Sequence, residues 1–323
     1  MNSFGTCDLA EFYCGFALLS PYESREISSE PVFSFLCQKL IRVFGQYKID
    51  MKIRKLSDDL LQPLDDYLAR YPIRNSYFIK NLFRDRNRSE FYLAQKNFKI
   101  KGCLLIYNSG LRQSSVASLI GEENAVLYLL KKCDIKTNNF LVLPRLKKEV
   151  ELVYSVKDYK SIDIMQINRG DEKVFSGNSE KLDLDHVEQI ARLLSEWRGG
   201  APRNYIEGIR ERLEKESYYF FGKFDNNKLV SMSALTILPK NMAIISNSFT
   251  LPEYRGQGYV ISCISKCLQI AFSEVKKAVL FVFTNNMKAK KVYTSIGFKL
   301  YDDFNWLSLG IRDNSNHSPN RVT

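Results

Sequence analysis

The sequence SNSFTLPEYRGQGYVISCISK, residues 246–266, has the pattern of a strand, a glycine turn and a helix. Its first residues continue a β-type run that begins at Ile244, and Pro252 ends that run. Arg255-Gly256-Gln257-Gly258 follows, and from Tyr259 onward apolar residues recur at helical spacing. Glycines allow a positive φ and let a ligand approach the backbone closely. Because the first N–H groups of a helix lack partners and lie at the positive end of its dipole, this turn is suited to bind a phosphate.

A second pattern lies downstream of the turn. Short glycine turns before helices are common in α/β proteins, so the turn alone is weak evidence for a phosphate site. Residues 279–284 predict a strand, and Asn286, Ala289 and Tyr293 then fall on one face of a predicted helix. Gly297 is suited to end that helix as its C-cap. A turn and a helix with this spacing favour a ligand site more strongly than either does alone.

Together the two patterns resemble the GNAT superfamily of N-acetyltransferases. The first motif of that family, Arg/Gln-x-x-Gly-x-Gly/Ala, corresponds to the six residues from Arg255 to Val260, where Val260 replaces the preferred Gly or Ala. The second motif, Asn-x-x-Ala-x-x-x-Tyr-x-x-x-Gly-Phe, is complete from Asn286 to Phe298. Residues 250–259 are also similar to the glycine N-acyltransferase branch. The resemblance covers the C-terminal part of the chain.

The resemblance implies an α/β (α+β) fold of two GNAT-like domains, each a mixed, mostly antiparallel sheet flanked by helices. The predicted elements of the second half repeat the order of the first, which suggests duplication. We expect an N-terminal extension at 1–50, a degenerate GNAT-like domain at 51–168 and a linker at 169–180. A catalytic GNAT acetyltransferase domain at 181–312 and a disordered tail at 313–323 complete the predicted organisation.

The first half differs from the second at the position of the glycine turn. It reads Gly121-Glu122-Glu123-Asn124, which places two carboxylates where the second half has free amides. Since these charges would repel a pyrophosphate, we interpret the first half as a copy that lost cofactor binding and kept a packing or acceptor-shaping role. An apolar run at residues 150–154 predicts a strand near its end. The chain can start at Met1 or at Met51, where the first predicted strand begins.

The resemblance also implies which residues hold an acyl-CoA co-substrate, with acetyl-CoA as the first candidate. Backbone groups of one strand would pair with the pantetheine arm, and an N–H group at a bulge in that strand would polarise the thioester carbonyl. The glycine turn would bind the pyrophosphate. The alternative interpretation is a packed strand followed by a tight turn without a ligand. The predicted cofactor-binding residues are Ser248, Phe249, Thr250, Arg255, Gly256, Gln257, Gly258, Tyr259, Val260, Ile261 and Asn286.

Tyr293 matches the general acid of the family, which protonates the leaving thiolate. A phenol with a pKa of about 10 can donate to a thiolate whose pKa is about 8.5. The alternative is a core tyrosine with a satisfied hydroxyl. Asn286 is likewise a candidate helix N-cap as well as a cofactor ligand. Neither strand core beside the turn offers a carboxylate, so proton removal by water, Glu196 or Glu207 stays open.

We therefore predict an N-acetyltransferase, or another N-acyltransferase, that moves an acetyl group from acetyl-CoA to a primary amine by direct transfer in a ternary complex. The acceptor, a small molecule or a protein amine, is not identified. The loop from Trp197 to Arg203 lies where the family forms its acceptor wall, and Arg198 and Arg203 can receive an acidic substrate. A solvated loop is an equal alternative. A non-catalytic acyl-CoA-binding or interaction module is the alternative function, and a homodimer is left open.

The charge balance bears on the choice of partner. Lys and Arg number 47 against 36 Asp and Glu, a net charge of +11. This favours polyanions such as coenzyme A, or it reflects a solvated basic surface. No Arg/Lys-rich run with interleaved aromatic residues is present, so nucleic acid is not the expected partner.

The cysteines and the chain start bear on the compartment. The 7 cysteines are scattered without a CxxC pair, which suits a reducing cytoplasm. Cys263 and Cys267 are one helical turn apart, but we expect buried structural thiols and no metal, because the chain has only 2 histidines. The first residues lack the basic region of a signal peptide. No apolar stretch approaches the length of about 18 residues that a membrane span needs, so we expect a cytoplasmic protein without membrane contact.

Overall fold

The computed structural model describes residues 51–108, 115–173 and 178–310. Within these ranges the chain forms a mixed α/β fold with one 12-stranded, mostly antiparallel sheet flanked by helices. This confirms the predicted fold class. The predicted extension at 1–50, the tail at 313–323 and a start at Met1 lie outside the described residues. No helix in the described ranges is long and apolar enough to cross a bilayer.

The strands and helices follow the order in which the sequence predicts most of them. The strands are β1 (Met51–Lys55), β2 (Ser89–Lys96), β3 (Lys99–Asn108), β4 (Ser115–Gly121), β5 (Asn139–Val142), β6 (Val156–Asn168), β7 (Glu180–Leu182), β8 (Tyr218–Asp225), β9 (Lys228–Leu238), β10 (Met242–Thr250), β11 (Lys277–Phe283) and β12 (Lys299–Leu309). The helices are α1 (Asp58–Leu68), α2 (Ser76–Phe83), α3 (Glu123–Lys132), α4 (Lys147–Glu151), α5 (Val187–Arg198), α6 (Arg203–Leu213), α7 (Tyr259–Glu274) and α8 (Met287–Ile296).

The two halves of the sequence share one sheet. Its strand order is β1-β2-β3-β4-β5-β12-β6-β11-β10-β9-β8-β7. The pairs β4 with β5 and β10 with β11 are parallel, and the other registered pairs are antiparallel. The last strand of each half pairs with the other half, because β6 lies beside β11 and β12 lies beside β5. Backbone hydrogen bonds therefore join the halves, and the predicted domain boundaries stay a prediction.

The strand predicted at residues 150–154, just before β6, is wrong. Residues 150–154 were expected to form a strand, but α4 ends at Glu151 and a turn follows it. The strand of this region is β6, which begins at Val156. Its first half is mostly exposed and carries charged residues, whereas its second half is buried. A short apolar run does not distinguish helix from strand, and the exposed half of β6 hides its alternation.

The side chains of β11 show how the sheet separates the packed layers. Leu280 and Val282 pack in the core beneath α7 and α8. Val279 and Phe281 point to the opposite face and pack with the core of the first half. This alternation follows from the period of two in a strand. β11 therefore contributes side chains to the cores on both faces of the sheet.

Cys263 and Cys267 lie inside the core beneath α7, where both are buried. Burial raises the pKa of the Cys263 thiol to about 12. Burial also raises the pKa of Cys267. Within the described ranges no group of three or more His, Cys, Asp and Glu side chains is arranged to hold a metal ion. The two thiols therefore behave as small apolar groups of the core.

Candidate active site

An opening forms where β10 and β11 separate. The two strands pair only from Met242 with Lys277 to Ile244 with Val279. Beyond Ile244, β10 keeps β9 as its neighbour on one side, while the described ladder on the other side ends. Backbone groups along this edge of β10 therefore have no strand partner. Such an edge can pair with an extended ligand in the way that another strand would.

A bulge interrupts β10 inside this opening. The register with β9 shifts between Ser246 and Phe249, and Asn247 takes a positive φ of 52°. Asparagine is one of the few residues besides glycine that adopts this conformation readily. A bulge leaves a residue out of the ladder and changes the direction of nearby side chains. The bulge lies in the strand for which the resemblance implies one.

All three residues assigned to the pantetheine arm are bonded to β9, Ser248 and Thr250 through their side chains and Phe249 through its carbonyl. The hydroxyl groups of Ser248 and Ser233 are 2.9 Å apart, and those of Thr250 and Ser231 are 2.7 Å apart. The Ser231 hydroxyl also donates to the Phe249 carbonyl at 3.0 Å. These bonds hold β10 against β9. What these residues can offer a cofactor is therefore mainly the backbone at the open edge.

The glycine turn is open to solvent. Gly256 and Gly258 have φ values of +83° and +77°, and a Cβ atom added at either would meet no atom within 4 Å. Gln257 lies exposed between them. Gly258 is the N-cap of α7, and the Ser262 N–H donates to its carbonyl at 3.1 Å. The N–H groups before Ser262 in α7 precede this first helical bond, so they are available to an anion.

Arg255 and Tyr259 border the turn. The Arg255 Nε donates to the Thr250 carbonyl at 3.2 Å, and its guanidinium lies 5.8 Å from the centre of the Phe249 ring. The Lys223 ammonium lies 6.0 Å from the centre of the Tyr259 ring. Two cations therefore stand near the start of α7, where an anion would be bound.

Val260 and Ile261 occupy the first turn of α7. Both are half-buried and pack against the core beneath α7 and α8. Val260 replaces the Gly or Ala that the GNAT motif prefers at this position. Its contacts with the core show that the larger side chain is accommodated while the space at Gly258 stays open.

Tyr293 lies on α8, where it is partly buried. Burial raises the pKa of its phenol, and a hydrogen bond with the Ser248 side chain acts in the opposite direction. The ring lies edge-on to Phe298 at a centroid distance of 6.1 Å. α8 follows β11 whereas Ser248 belongs to β10, so the influence of Ser248 on this pKa places the phenol near the opening between the two strands.

Asn286 is the N-cap of α8. Its Oδ1 accepts a hydrogen bond from the Ala289 N–H at 3.2 Å. This is the capping interaction that the sequence offered as one interpretation. A capping Asn uses one oxygen lone pair, so its amide N–H groups stay available for a ligand.

A buried carboxylate from the first half, which no motif in the sequence indicates, positions α8. Asp163 of β6 is 3% exposed, and its Oδ2 lies 2.5 Å from the Lys290 ammonium. Its other oxygen accepts a hydrogen bond from the Thr284 hydroxyl. Lys290 and Tyr293 are one turn apart, so this pair fixes the helix that carries the phenol.

A cavity of about 340 Å³ borders the bulge. Ser246 and Asn247 of β10 and Phe281 of β11 form its wall toward the opening. Trp197 stacks on Phe249 beside it, with ring centroids 5.6 Å apart. A thioester between β10 and β11 would therefore face this cavity.

Both halves of the chain supply charged and phenolic groups to the cavity. Arg198, Glu207 and Arg212 come from α5 and α6 of the second half. Lys80 and Tyr107 are among those from the first half. Of the residues weighed in the sequence, Glu207 and Arg198 line the cavity, whereas Glu196 and Arg203 do not. Lys80, Tyr107 and Arg212 were missed.

A signal for Arg212 existed in the sequence. Asn204, Gly208 and Arg212 recur every four residues, so they share one face of α6, and all three line the cavity. Placing Asn204 near the acceptor wall would have placed Arg212 there too. No comparable signal existed for Lys80 and Tyr107, because they approach the cavity only through the packing of the two halves.

Comparison with known families agrees with this geometry. Residues 186–298 match the model of the acetyltransferase (GNAT) family. This segment contains the turn, the bulge and Tyr293. Enzymes of the GNAT family use acetyl-CoA or another acyl-CoA, so the match indicates acyl-CoA-dependent acyl transfer. A search of curated proteins gave no match.

Several solved structures share the fold over most of the chain. A Drosophila protein is 16% identical, with 80% of this chain and 98% of that chain covered at a TM-score of 0.59. A GNAT acetyltransferase from Colwellia psychrerythraea is 11% identical, with 80% and 100% covered at 0.56. A tandem GNAT protein from the clavulanic acid biosynthesis pathway is 12% identical, with 82% and 100% covered at 0.55. These similarities show that the chain shares its fold with GNAT proteins, and the family model matches residues 186–298 of it.

Proposed function

We propose that the protein is an N-acetyltransferase that moves the acetyl group of acetyl-CoA directly to a primary amine in a ternary complex. The observation that carries this proposal is the opening between β10 and β11, because the edge of β10 has no strand partner there beyond Ile244 and the chain then continues into a glycine turn that is open to solvent. The glycine turn lies at one end of this opening and the cavity at the other. A cofactor bound at the turn would bring its sulfur toward the phenol and its acetyl group toward the cavity.

The cofactor would be held by backbone groups more than by side chains. Its pyrophosphate would accept hydrogen bonds from the amides between Gly256 and Ile261, and its arm would pair with β10 from Ser248 to Thr250. Each such bond contributes only about 0.5–1.5 kcal/mol net. Several of these hydrogen bonds must therefore act together, so the open turn and the open edge of β10 must both contact the same cofactor molecule.

The chemical step forms one bond and breaks one bond. The lone pair of the neutral amine attacks the thioester carbonyl carbon, and the C–S bond breaks as the C–N bond is completed. The nitrogen loses a proton, and the thiolate gains the proton of Tyr293, which gives an amide and the free thiol of coenzyme A. Bulk water returns a proton to the phenol. The N–H of the bulge can stabilise the negative charge that develops on the carbonyl oxygen.

Binding of acetyl-CoA tests the role of the turn. Wild type should bind acetyl-CoA in calorimetry, and Gly258→Glu should bind about 100-fold more weakly, because a carboxylate would enter the space of the pyrophosphate. Gly170→Glu is the control, since Gly170 also has a positive φ, +94°, and open space around it but lies outside the site. It should bind as wild type does. No binding by wild type, or equal binding by wild type and Gly258→Glu, ends the proposal.

We propose Glu207 as the general base. Its carboxylate lines the cavity with Ser246 and Asn247 and has no hydrogen-bond or ion-pair partner among the described residues. Glu196 lies on α5 but does not reach the cavity. An amine arrives mostly as ammonium near neutral pH, so a carboxylate must take its proton before attack.

Replacing each of the two glutamates by glutamine distinguishes the candidate general bases that the sequence leaves open. Glu207→Gln is expected to lower kcat near neutral pH by about 100-fold, within the usual range for a general base. Its rate should recover as the pH approaches the pKa of the amine. Glu196→Gln should retain the wild-type rate in the same assay of free-thiol release. Equal rates for wild type and Glu207→Gln would contradict this assignment and indicate that water removes the proton.

We further propose that the first half does not bind a cofactor. Glu122 and Glu123, at the start of α3, pair with Lys101 at 2.7 Å and with Arg145 at 2.5 Å. Arg145 also donates to the Gly121 carbonyl at 2.7 Å. These contacts occupy the helix start that would correspond to the phosphate site. Through Lys80 and Tyr107 the first half would instead shape the acceptor cavity.

The alternative is a protein that binds acyl-CoA without turnover. It predicts calorimetric binding that depends on Gly258 but no thiol release with any amine. The similarity of residues 250–259 to the glycine N-acyltransferase branch concerns the cofactor turn, and assignment to that branch is likewise a proposal.

A further inference from the structure

A primary amine of the protein itself lines the cavity beside the bulge. Lys80 of α2 is the only lysine among the described residues that form the wall of this cavity, and Ser246 and Asn247 of the bulge belong to the same wall. A primary amine is the acceptor group of the proposed acetyl transfer. The first half of the chain therefore supplies one such group to the cavity that a bound thioester would face.

The Lys80 side chain is confined but not sealed off. It is 17% exposed and borders the cavity of about 340 Å³. Its ammonium contacts the Asp85 carboxylate and lies 5.8 Å from the centre of the Tyr107 ring. A group that is held beside a reacting centre reacts faster than one that arrives from solution, because its translational and rotational freedom is already lost. Reaction at Lys80 would need no second molecule in the cavity.

The surroundings of Lys80 favour the neutral amine more than water does. Burial lowers the pKa of its ammonium, and the positive charges of Arg212 and Lys215 act in the same direction, whereas Asp85 opposes them. The balance leaves the pKa below its ordinary value of 10.5. Since only a neutral amine attacks a carbonyl carbon, Lys80 offers the reactive form at a lower pH than an exposed lysine does.

The other cations near the cavity do not offer the same chemistry. Those in its described wall are arginines, whose guanidinium groups stay protonated. Lys215 acts on Lys80 electrostatically but is not part of the described wall, and its ammonium pairs with Glu211 at 2.9 Å. Lys80 is therefore the nucleophile that the cavity itself contains.

We propose that the protein acetylates its own Lys80 when no external acceptor occupies the cavity. This inference rests on the proposed acetyl transfer and adds a modification site to it. The neutral Lys80 nitrogen forms an amide bond with the acetyl carbonyl carbon as the thioester C–S bond breaks. The proton lost from nitrogen passes to Asp85, which contacts it, and the thiolate gains the proton of Tyr293. Proton exchange with water then restores Asp85 and Tyr293.

The modification would change the acceptor cavity. Acetylation removes the charge of Lys80, and the acetyl group takes up part of the space that an external amine would use. The N–H group that remains on the nitrogen can still donate a hydrogen bond to Asp85, so the buried carboxylate keeps a donor there. Self-acetylation would therefore mark protein that has met acetyl-CoA without an acceptor.

Labelled acetyl-CoA tests this inference. The full chain is incubated without any amine in acetyl-CoA whose acetyl group is deuterated, and mass spectrometry of peptides follows the label at each lysine. Lys80 is expected to acquire the label about 100-fold faster than an exposed lysine such as Lys131, because its amine is already held at the cavity. Acetyl groups acquired during expression carry no label and do not count.

Variants assign the label to the candidate active site. Gly258→Glu and Tyr293→Phe should each slow the labelling of Lys80 by about 100-fold or more, because they impair cofactor binding and proton donation. The slow labelling of exposed lysines by reaction in solution should stay the same. Lys80→Arg keeps the positive charge and should remove the fast label. Lys131→Arg, on the exposed surface of α3, is the matched control and should acquire label at Lys80 as wild type does.

The outcomes separate this inference from the proposed function. Labelling of Lys80 no faster than that of exposed lysines would overturn the inference, and thiol release with methylamine or ethylamine by the same preparation would show that acetyl transfer itself stands. Equal labelling of Lys80 in wild type and Gly258→Glu would also overturn it. Absence of acetyl-CoA binding would overturn both proposals. Because Gly258 lies in the open turn, its variant decides the question even if Lys80→Arg does not fold.

Discussion

Replacement of Tyr293 by Phe is expected to lower kcat for acetyl transfer by about 1,000-fold, within the range of about 10²–10⁴ for a lost proton donor. The thiolate would then leave without protonation from the enzyme. The Kd for acetyl-CoA should change less than about twofold, because the substitution keeps the ring that packs against Phe298. Free-thiol release gives kcat, and calorimetry gives Kd.

The pH dependence provides a second measurement for Tyr293. Burial raises the pKa of its phenol above the ordinary value of 10.0. The proton-donating form of the phenol therefore persists at higher pH than in water, so kcat of the wild type should show no decline from this group below pH 10. Tyr301→Phe, on the exposed start of β12, is a control that should retain full activity. A Tyr293→Phe enzyme with wild-type kcat, or one whose cofactor affinity falls as much as its rate, would contradict the assignment.

The cofactor side of the site could be predicted because its signals are local. Gly256 and Gly258 adopt the positive φ that a turn of this kind requires. Asn286, Tyr293 and Gly297 lie within about three helical turns, so their relative positions follow from helix geometry. Neighbouring residues with strict conformational demands leave few alternative structures. The assignments of these residues to the cofactor stay predictions until binding is measured.

The acceptor side could be predicted only in part. Arg212 and Tyr107 are 105 residues apart in sequence and meet through a hydrogen bond across the two halves. Their meeting depends on β6 and β12 pairing with the other half, and the sequence of β6 conceals even its strand character. Contacts between distant residues depend on the register of the whole sheet, which hydrophobic periodicity alone does not specify.

Asp163 illustrates the same limit for α8, which carries Tyr293. The sequence assigns it to the first half, beyond the reach of the motifs. In the structure, its pairing with Val282 places its carboxylate beside Thr284 and Lys290. The position of Tyr293 therefore depends on a residue of the other half. The pairing of β6 with β11 thus links the first half to the candidate active site, and the packing of the halves links it to the cavity.

The pair of Lys80 and Asp85 beneath the cavity carries the largest expected effect on stability. Asp85 is 2% exposed, contacts the Lys80 ammonium and accepts a hydrogen bond from the Tyr218 hydroxyl at 2.8 Å. Asp85→Asn should reduce the free energy of unfolding by about 3–5 kcal/mol, because it leaves the buried ammonium of Lys80 without its counter-ion. Urea denaturation followed by circular dichroism measures the loss.

The ionisation of Asp85 gives this stability a predictable pH dependence. Burial, the largest single influence, raises the pKa of the carboxyl, but Lys80, Arg212 and the Tyr218 hydroxyl together outweigh it, so the pKa in the folded state is lowered. A carboxyl with a lowered folded pKa contributes stability that is present above its unfolded pKa of about 3.9 and is lost as the pH falls toward the folded value. The difference in unfolding free energy between wild type and Asp85→Asn should therefore be constant near neutral pH and shrink below about pH 4.

Two further variants show whether the loss of unfolding free energy comes from the ion pair or would follow any substitution. Asp66→Asn removes an exposed carboxylate of α1 and should change stability by less than about 0.5 kcal/mol. The double variant with Lys80→Met and Asp85→Asn removes both charges, so it should be more stable than Asp85→Asn alone. If the double variant is as unstable as the single one, the loss arises from packing and not from an uncompensated charge. If the pair acts as proposed, the double variant should also retain acetyl-CoA binding, because Lys80 and Asp85 belong to the first half, away from the glycine turn.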